Sequence, residues 1–115
     1  MNQTTDTGTW ADFERVGLRA GTIRKVEPFP EARKAAYKLW VDFGPFGIRQ
    51  SSAQLTALYR PEDLVGRQVI CATGLGAKRV AGFKSEVLVT GFAREDGAII
   101  LASIERAVAD GSPLC

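Results

Sequence analysis

Lys84-Ser85-Glu86 sets a cation, a hydroxyl and a carboxylate side by side just ahead of the apolar run Val87-Leu88-Val89. A second hydroxyl pair, Ser51-Ser52, follows Gln50 earlier in the chain. These are the residues whose types could do nucleophilic chemistry. A serine needs a general base to attack at neutral pH, and the 115-residue chain contains no histidine. That excludes Ser-His-Asp and Cys-His pairs together with every His-based metal site. Pairing Ser51 or Ser52 with Lys84 has no support in the spacing. Cys71 and Cys115, with no CxxC, make neither a zinc set nor an expected disulfide, and Cys71 reads as a small core residue. Gly74-Leu75-Gly76 lacks the Gly-Lys-Ser/Thr and the following helix of a phosphate loop. No catalytic residue, metal or cofactor is expected, and the polar residues read as binding groups.

Charge and aromatic placement point the same way. The formal net charge is only +2, but it is unevenly spread. Residues 1–14 hold three acids and no base, whereas residues 19–49 hold seven bases against three acids. Lys78, Arg79 and Lys84 then fall in a stretch without an acid. A basic face of this kind attracts phosphate backbones or acidic peptides. Scattered solubilising charge is the alternative. Trp40 is out of phase with Leu39 and Val41, so it lies on the face opposite the core, where an indole stacks on a base, holds an apolar side chain or packs laterally. Phe46 and Phe83 sit at turns, as the floor of a pocket or as local packing. Gln50-Ser51-Ser52 puts three uncharged hydrogen-bonding side chains in mid-strand.

The elements that must position these residues are mostly strands. At 45% hydrophobic and 24% charged the composition is globular, and the length suits one domain. We expect residues 1–8 to be a flexible segment and 9–115 a single domain. No apolar stretch approaches the roughly 20 residues of a membrane helix, so no membrane insertion is expected. The opening residues lack a signal-peptide pattern, so a cytoplasmic location is expected. Thr9 and Asp12 form a capping box for a helix of little more than a turn. Alternation runs from Val16 to Ala20, and its parity slips at Gly21, which predicts a bulge or bend there. Tyr37–Phe43 and Ile48–Ala53 read as a hairpin about the turn Gly44-Pro45-Phe46-Gly47. Pro61 to Leu64 is a short helix, with Pro first and Gly66 after. Strands follow over Gln68–Thr73, Ser85–Phe92 and Ala98–Leu101, with a basic glycine-interrupted loop from Gly74 to Gly82. The tail from Ser103 is ambiguous, with a turn at Asp110-Gly111. The pattern suggests an all-β fold, a five-stranded OB-type Greek-key barrel with short helices and terminal extensions. An SH3-like barrel or a mixed sandwich are its rivals.

Leu18-Arg19-Ala20-Gly21-Thr22-Ile23, Phe29-Pro30-Glu31-Ala32, Tyr59 to Gly66 and Gly82-Phe83-Lys84-Ser85-Glu86 resemble, in that order, the tRNA-binding domain family of OB-fold modules. Phe43-Gly44, Ile48 to Gln54 and Ala81 to Val89 resemble its CsaA branch of export-related chaperones. Val87-Leu88 stands where the wider family usually has Gly-Met, which favours that branch. The resemblance implies a non-catalytic homodimer that binds unfolded polypeptides or preproteins, with structure-specific tRNA binding by the same face as the alternative. It places Arg33, Lys34, Lys38, Lys78, Arg79 and Lys84 on a basic rim, with Arg49, Gln50, Ser51, Ser52 and Ser85 as further binding residues. Trp40, Phe46 and Phe83 are expected to capture apolar groups, and Trp10, Phe13 and the tail to make dimer contacts. Gly74 and Gly76-Ala77 depart from the family's usual residues and predict a more flexible loop.

Overall fold

The computed structural model describes residues 6–115. Residues 1–5 of the segment expected to be flexible lie outside them. Thr9 caps helix α1 (Trp10–Val16): its hydroxyl accepts from the Asp12 N–H at 3.1 Å, and the Asp12 carboxylate accepts from the Thr9 N–H at 2.9 Å. At seven residues the helix is longer than the little more than a turn expected, and it ends where Gly17 takes φ +66° and its N–H reaches the Glu14 carbonyl. The first strand therefore starts at Leu18, not at Val16.

Strand β1 (Leu18–Pro28) is shared between two neighbours. Residues 18–22 pair with β4 (Gln68–Ala72), and residues 22–28 pair with β2 (Tyr37–Asp42). The irregularity expected at Gly21 lies instead at Arg24, where the register against β2 shifts between Ile23 and Lys25. Gly21 serves close approach. A Cβ there would stand 2.6–2.9 Å from the Val41 and Phe43 side chains, so only glycine lets β1 lie against those two core residues.

A 3-10 turn at Gly44–Phe46 joins β2 to β3 (Ile48–Ala53), with Lys38 opposite Ser52, Leu39 opposite Ser51 and Trp40 opposite Gln50. Lys38, Trp40, Gln50 and Ser52 thus share the outer face, while Leu39, Val41 and Ser51 share the inner one. Part of the expected Gly74–Gly82 loop is a hairpin, β5 (Lys78–Val80) with β6 (Phe83–Ser85), turning at Ala81 (φ +47°) and Gly82 (φ +82°). The single strand expected over Ser85–Phe92 is three short ones, because the chain changes partner. β6 pairs with β5, β7 (Leu88–Val89) pairs with β4, and β8 (Gly91–Ala93) pairs with β9 (Ile99–Leu101). One consequence is that Val87 is buried while Leu88 is 53% exposed.

The main sheet runs β3-β2-β1-β4-β7. It curls until β3 meets residues 85–86, where the Glu86 N–H donates to the Gln50 carbonyl at 2.8 Å. The result is the expected five-stranded OB-type antiparallel barrel, nearly closed. Its core gathers Ile23, Leu39, Val41, Phe43, Leu55, Val69, Cys71, Val87 and Leu101, and α2 (Pro61–Leu64) adds Leu64. Burying each large aliphatic or aromatic side chain contributes about 1.5–3 kcal/mol. Among the described residues no helix is long and apolar enough to cross a membrane.

The tail resolves into a strap on the edge of β1 that β2 leaves free. The Ala20 N–H donates to the Ser112 carbonyl at 2.9 Å, Gly111 to Ala20 at 2.7 Å and Leu114 to Leu18 at 2.8 Å. Asp110 fixes it, accepting from the Thr22 hydroxyl at 2.6 Å and from Gln68 Nε2 at 3.1 Å. It also pairs with Arg24 at 3.4 Å.

Candidate functional site

The outer face of β2 and β3 carries an aromatic cluster. Phe83 on β6 lies edge-on to Trp40, with centroids 5.8 Å apart, and edge-on to Phe29 at 5.5 Å. Phe29 is buried beneath, and Trp40 and Phe83 are half-buried. Lys38 Nζ stands 4.9 Å from the Phe29 centroid and 5.2 Å from that of Phe83. Lys25 Nζ lies 4.8 Å from the Trp40 centroid and 3.0 Å from Glu27 Oε2. Such ammonium–ring contacts contribute about 0.5–1 kcal/mol at exposed sites. They leave the cluster apolar in its centre and cationic at its margin.

The β5–β6 hairpin adds charge. Lys78, Val80, Phe83 and Ser85 share one face of it, and Arg79 and Lys84 share the other. Among the described residues, six of the fifteen lysines and arginines have neither an ion pair nor an aromatic ring beneath them: Arg33, Lys34, Arg49, Lys78, Arg79 and Lys84. Five of the six, all but Arg49, belong to the basic rim that the sequence predicts. Arg79 donates only to the Gly82 carbonyl of its own turn, at 3.1 Å.

Beyond Ser52 the aromatic face passes into a groove of about 640 Å³. Ser52 to Leu55 form one wall, and Leu75, Lys78, Val87, Leu88 and Ile99 contribute to the rest. Leu75 and Leu88 are 58% and 53% exposed. Ser52 joins the two regions, since it lines the groove and lies across from Lys38.

Comparison with known proteins agrees with this geometry. The family described as "Putative tRNA binding domain" matches residues 18–113. The chain belongs to the tRNA-binding domain family. Within it, the crystal structure of the chaperone CsaA from Bacillus anthracis is 43% identical, covers 95% of this chain and 99% of its own, and superposes with a TM-score of 0.88. The CsaA chaperone protein of Picrophilus torridus is 35% identical, with coverage of 95% and 100% and a TM-score of 0.87. The methionine–tRNA ligase of Salinibacter ruber is 35% identical over 107 residues, which are 93% of this chain but 14% of the ligase. The chain thus spans about a seventh of the ligases it matches.

Not every expected site residue of this tRNA-binding domain comes to the same face. Ser51 is fully buried on the inner face, with its hydroxyl 3.4 Å from the Ser52 carbonyl. Ser85 is 6% exposed, and its hydroxyl accepts from the Ser52 N–H at 3.0 Å. Both belong to the barrel wall and not to its rim. Phe46 is remote from the cluster in contact terms: Arg19 lies 4.2 Å over its ring, and a Cβ on Gly111 would stand 3.1 Å from it. Arg49 pairs with Val41, on the strand face opposite Trp40 and Gln50. Trp10 is 84% exposed, and with Phe13 it lines a trough of about 540 Å³ against Pro113 and Leu114.

Gly74 is not the source of loop freedom that the sequence suggests. Its N–H donates to the Val16 carbonyl at 2.8 Å, and a Cβ there would collide with the Arg15 carbonyl. Gly76, by contrast, has open space around it, as has Gly82 at the hairpin turn. Four residues of the face escape the sequence reading: Lys25, Phe29, Leu75 and Leu88. Lys25 and Phe29 carry no local mark, because the contacts that matter come from β2 and β6. Leu88 could have been found by alternation across Val87-Leu88-Val89. Burial pushes the Cys71 thiol up to about 12, so it stays protonated and inert. Among the described residues no three His, Cys, Asp or Glu side chains gather as a metal site.

Proposed function

We propose that this protein is a non-catalytic chaperone of the CsaA kind that holds extended or partly unfolded polypeptide, export-bound preproteins included. The observation that carries this reading is the continuous surface from Trp40 and Phe83 through Ser52 into the groove of Leu75, Val87 and Leu88, edged by cations without partners. A polypeptide with apolar and acidic residues matches that surface in both respects.

A second reading, tRNA binding by the same face, is favoured by the family match and by the unpaired cations Arg33, Lys34, Lys78, Arg79 and Lys84, which are free to contact phosphates. Salt separates the two. Chemically unfolded client protein is expected to bind at high salt and to lose roughly tenfold or more in affinity with Trp40→Ala, while tRNA binding falls steeply as salt rises. Tight tRNA binding at low salt that peptides cannot compete away, with no binding of unfolded protein, overturns the chaperone reading.

Homodimerisation belongs to the same proposal. The exposed Trp10 indole and Leu114, 45% exposed, edge the trough between α1 and the tail, and a second copy is the partner that two-fold pairing would place there. Sedimentation of Trp10→Ala as a monomer, against a wild-type dimer, is the expected result.

A further inference from the structure

A chaperone must hold chains of unrelated sequence, which favours main-chain over side-chain recognition. We propose that extended polypeptide adds to the outer edge of β3 as a strand and displaces the side-chain clasp formed there by Ser85 and Glu86. The proposal rests on the polypeptide-binding reading above and specifies its mode.

The argument starts from how β3 is closed. It is the terminal strand of the main sheet, and among the described residues it has a paired strand only on its β2 side. On its outer side two N–H donors that a neighbouring strand would normally satisfy are met by side chains. The Gln50 N–H donates to Glu86 Oε1 at 3.0 Å and the Ser52 N–H to Ser85 Oγ at 3.0 Å. The Gln50 side chain returns a bond to the Lys84 carbonyl at 2.9 Å. Among the described residues main chain meets main chain on this side once, from Glu86 N–H to the Gln50 carbonyl. A carboxylate and a hydroxyl on rotatable bonds are exchangeable in a way that a ladder is not; peptide carbonyls can take their places, and a peptide N–H can replace that of Glu86 on the Gln50 carbonyl.

The surroundings fit such an exchange. The groove opens where the clasp ends, at Ser52, and continues along residues 53–55 beside Val87 and Leu88. The hairpin that carries Ser85 is connected through Gly76, which has φ +80° and no atom within contact distance of a Cβ. Alternate side chains of an added strand would face Leu55, Val87 and Leu88. Lys78, which lines the groove without an ion pair among the described residues, would favour a carboxylate on the ligand.

The test uses a fluorescent ten-residue peptide of alternating leucine and threonine with one glutamate, and two analogues N-methylated on every second amide, one in each register. Successive amides of a strand point to opposite sides. The expected result is a loss of roughly tenfold or more in one register and little change in the other. Equal binding of all three peptides, or equal loss in both registers, overturns strand addition while leaving polypeptide binding standing. Failure of the parent peptide and of unfolded protein alike overturns both. Ser85→Ala supplies a second readout, with folding checked by circular dichroism. It strips the Ser52 N–H of its acceptor in the free protein, so the parent peptide should bind several-fold more tightly. Unchanged or weaker binding contradicts the displacement step. Should Ser85→Ala not fold, Glu86→Gln, which weakens the charge-assisted acceptor of the Gln50 N–H, is read by the same criterion.

Discussion

The β1 edge at residues 18–22 and the β3 edge at residues 50–52 present the same problem, a row of main-chain groups without a neighbouring strand, and the chain meets it in two ways. Along β1 the tail supplies main-chain partners to Leu18 and Ala20, and Asp110 ties that strap to Thr22, Gln68 and Arg24. Nearby charges are matched, with Arg24 bridging Asp42 and Asp110. Along β3 the partners are mostly side chains, and the cations of the adjoining hairpin, Lys78, Arg79 and Lys84, have no ion partners among the described residues. The first edge is closed for stability. The second is closed by groups that can let go, and its charge is left for something else.

The largest effect that would sharpen this contrast is on the β1 side. Asp110→Ala strands the Thr22 hydroxyl, 6% exposed, and frees the strap. The expected cost is about 2–3 kcal/mol, read as a fall in Tm of roughly 10 °C, with polypeptide affinity at room temperature unchanged. An equal loss of binding would erase the distinction between the two edges.

On the β3 side the double variant Lys78→Glu, Lys84→Glu should behave in the opposite way. Among the described residues neither lysine holds an ion partner, so stability should change by no more than about 0.5 kcal/mol. Any tRNA binding should weaken about tenfold or more, and the slope of its logarithm against log salt should shrink by about 2. A large drop in stability here would mean that these cations serve the fold.

Acid acts on the fold more gently. The Gly44 N–H, helped by Arg24, holds the Asp42 carboxyl below its ordinary 3.8. The Arg60 N–H does the same for Asp63, and the Arg94 guanidinium for Asp96. Groups depressed in the folded state stabilise it above their unfolded pKa, and that stability is lost as pH falls through the folded values. The urea midpoint should therefore decline below roughly pH 4 and stay level through the neutral range, where no histidine titrates. A transition near neutrality would point to a coupling that these contacts do not contain.

What the sequence revealed of this division is uneven, for physical reasons. The α1 capping box, the β2–β3 hairpin and the outward Trp40 follow from local spacing, and they stand where spacing puts them. The strand irregularity lies at Arg24 and not at Gly21, because parity shows only that a slip occurs, whereas its place depends on where β1 changes neighbours. Gln50-Ser51-Ser52 reads as one polar row, but a strand splits it between faces, so Ser51 turns inward. Phe46 stays 48% exposed, but its recorded ring partner is Arg19 and not Trp40 or Phe83, which turn chemistry alone does not show. The six unpaired cations are visible as residue types. That they are unpaired depends on acids brought in by the fold, as Asp110 is brought to Arg24 from far along the chain.

Hydrogen–deuterium exchange with and without a saturating unfolded client measures the central claim most directly. Protection on binding is predicted over residues 50–55 and 75–91, with residues 103–115 exchanging as before. Protection confined to the tail and α1, with β3 and the hairpin unchanged, would contradict it.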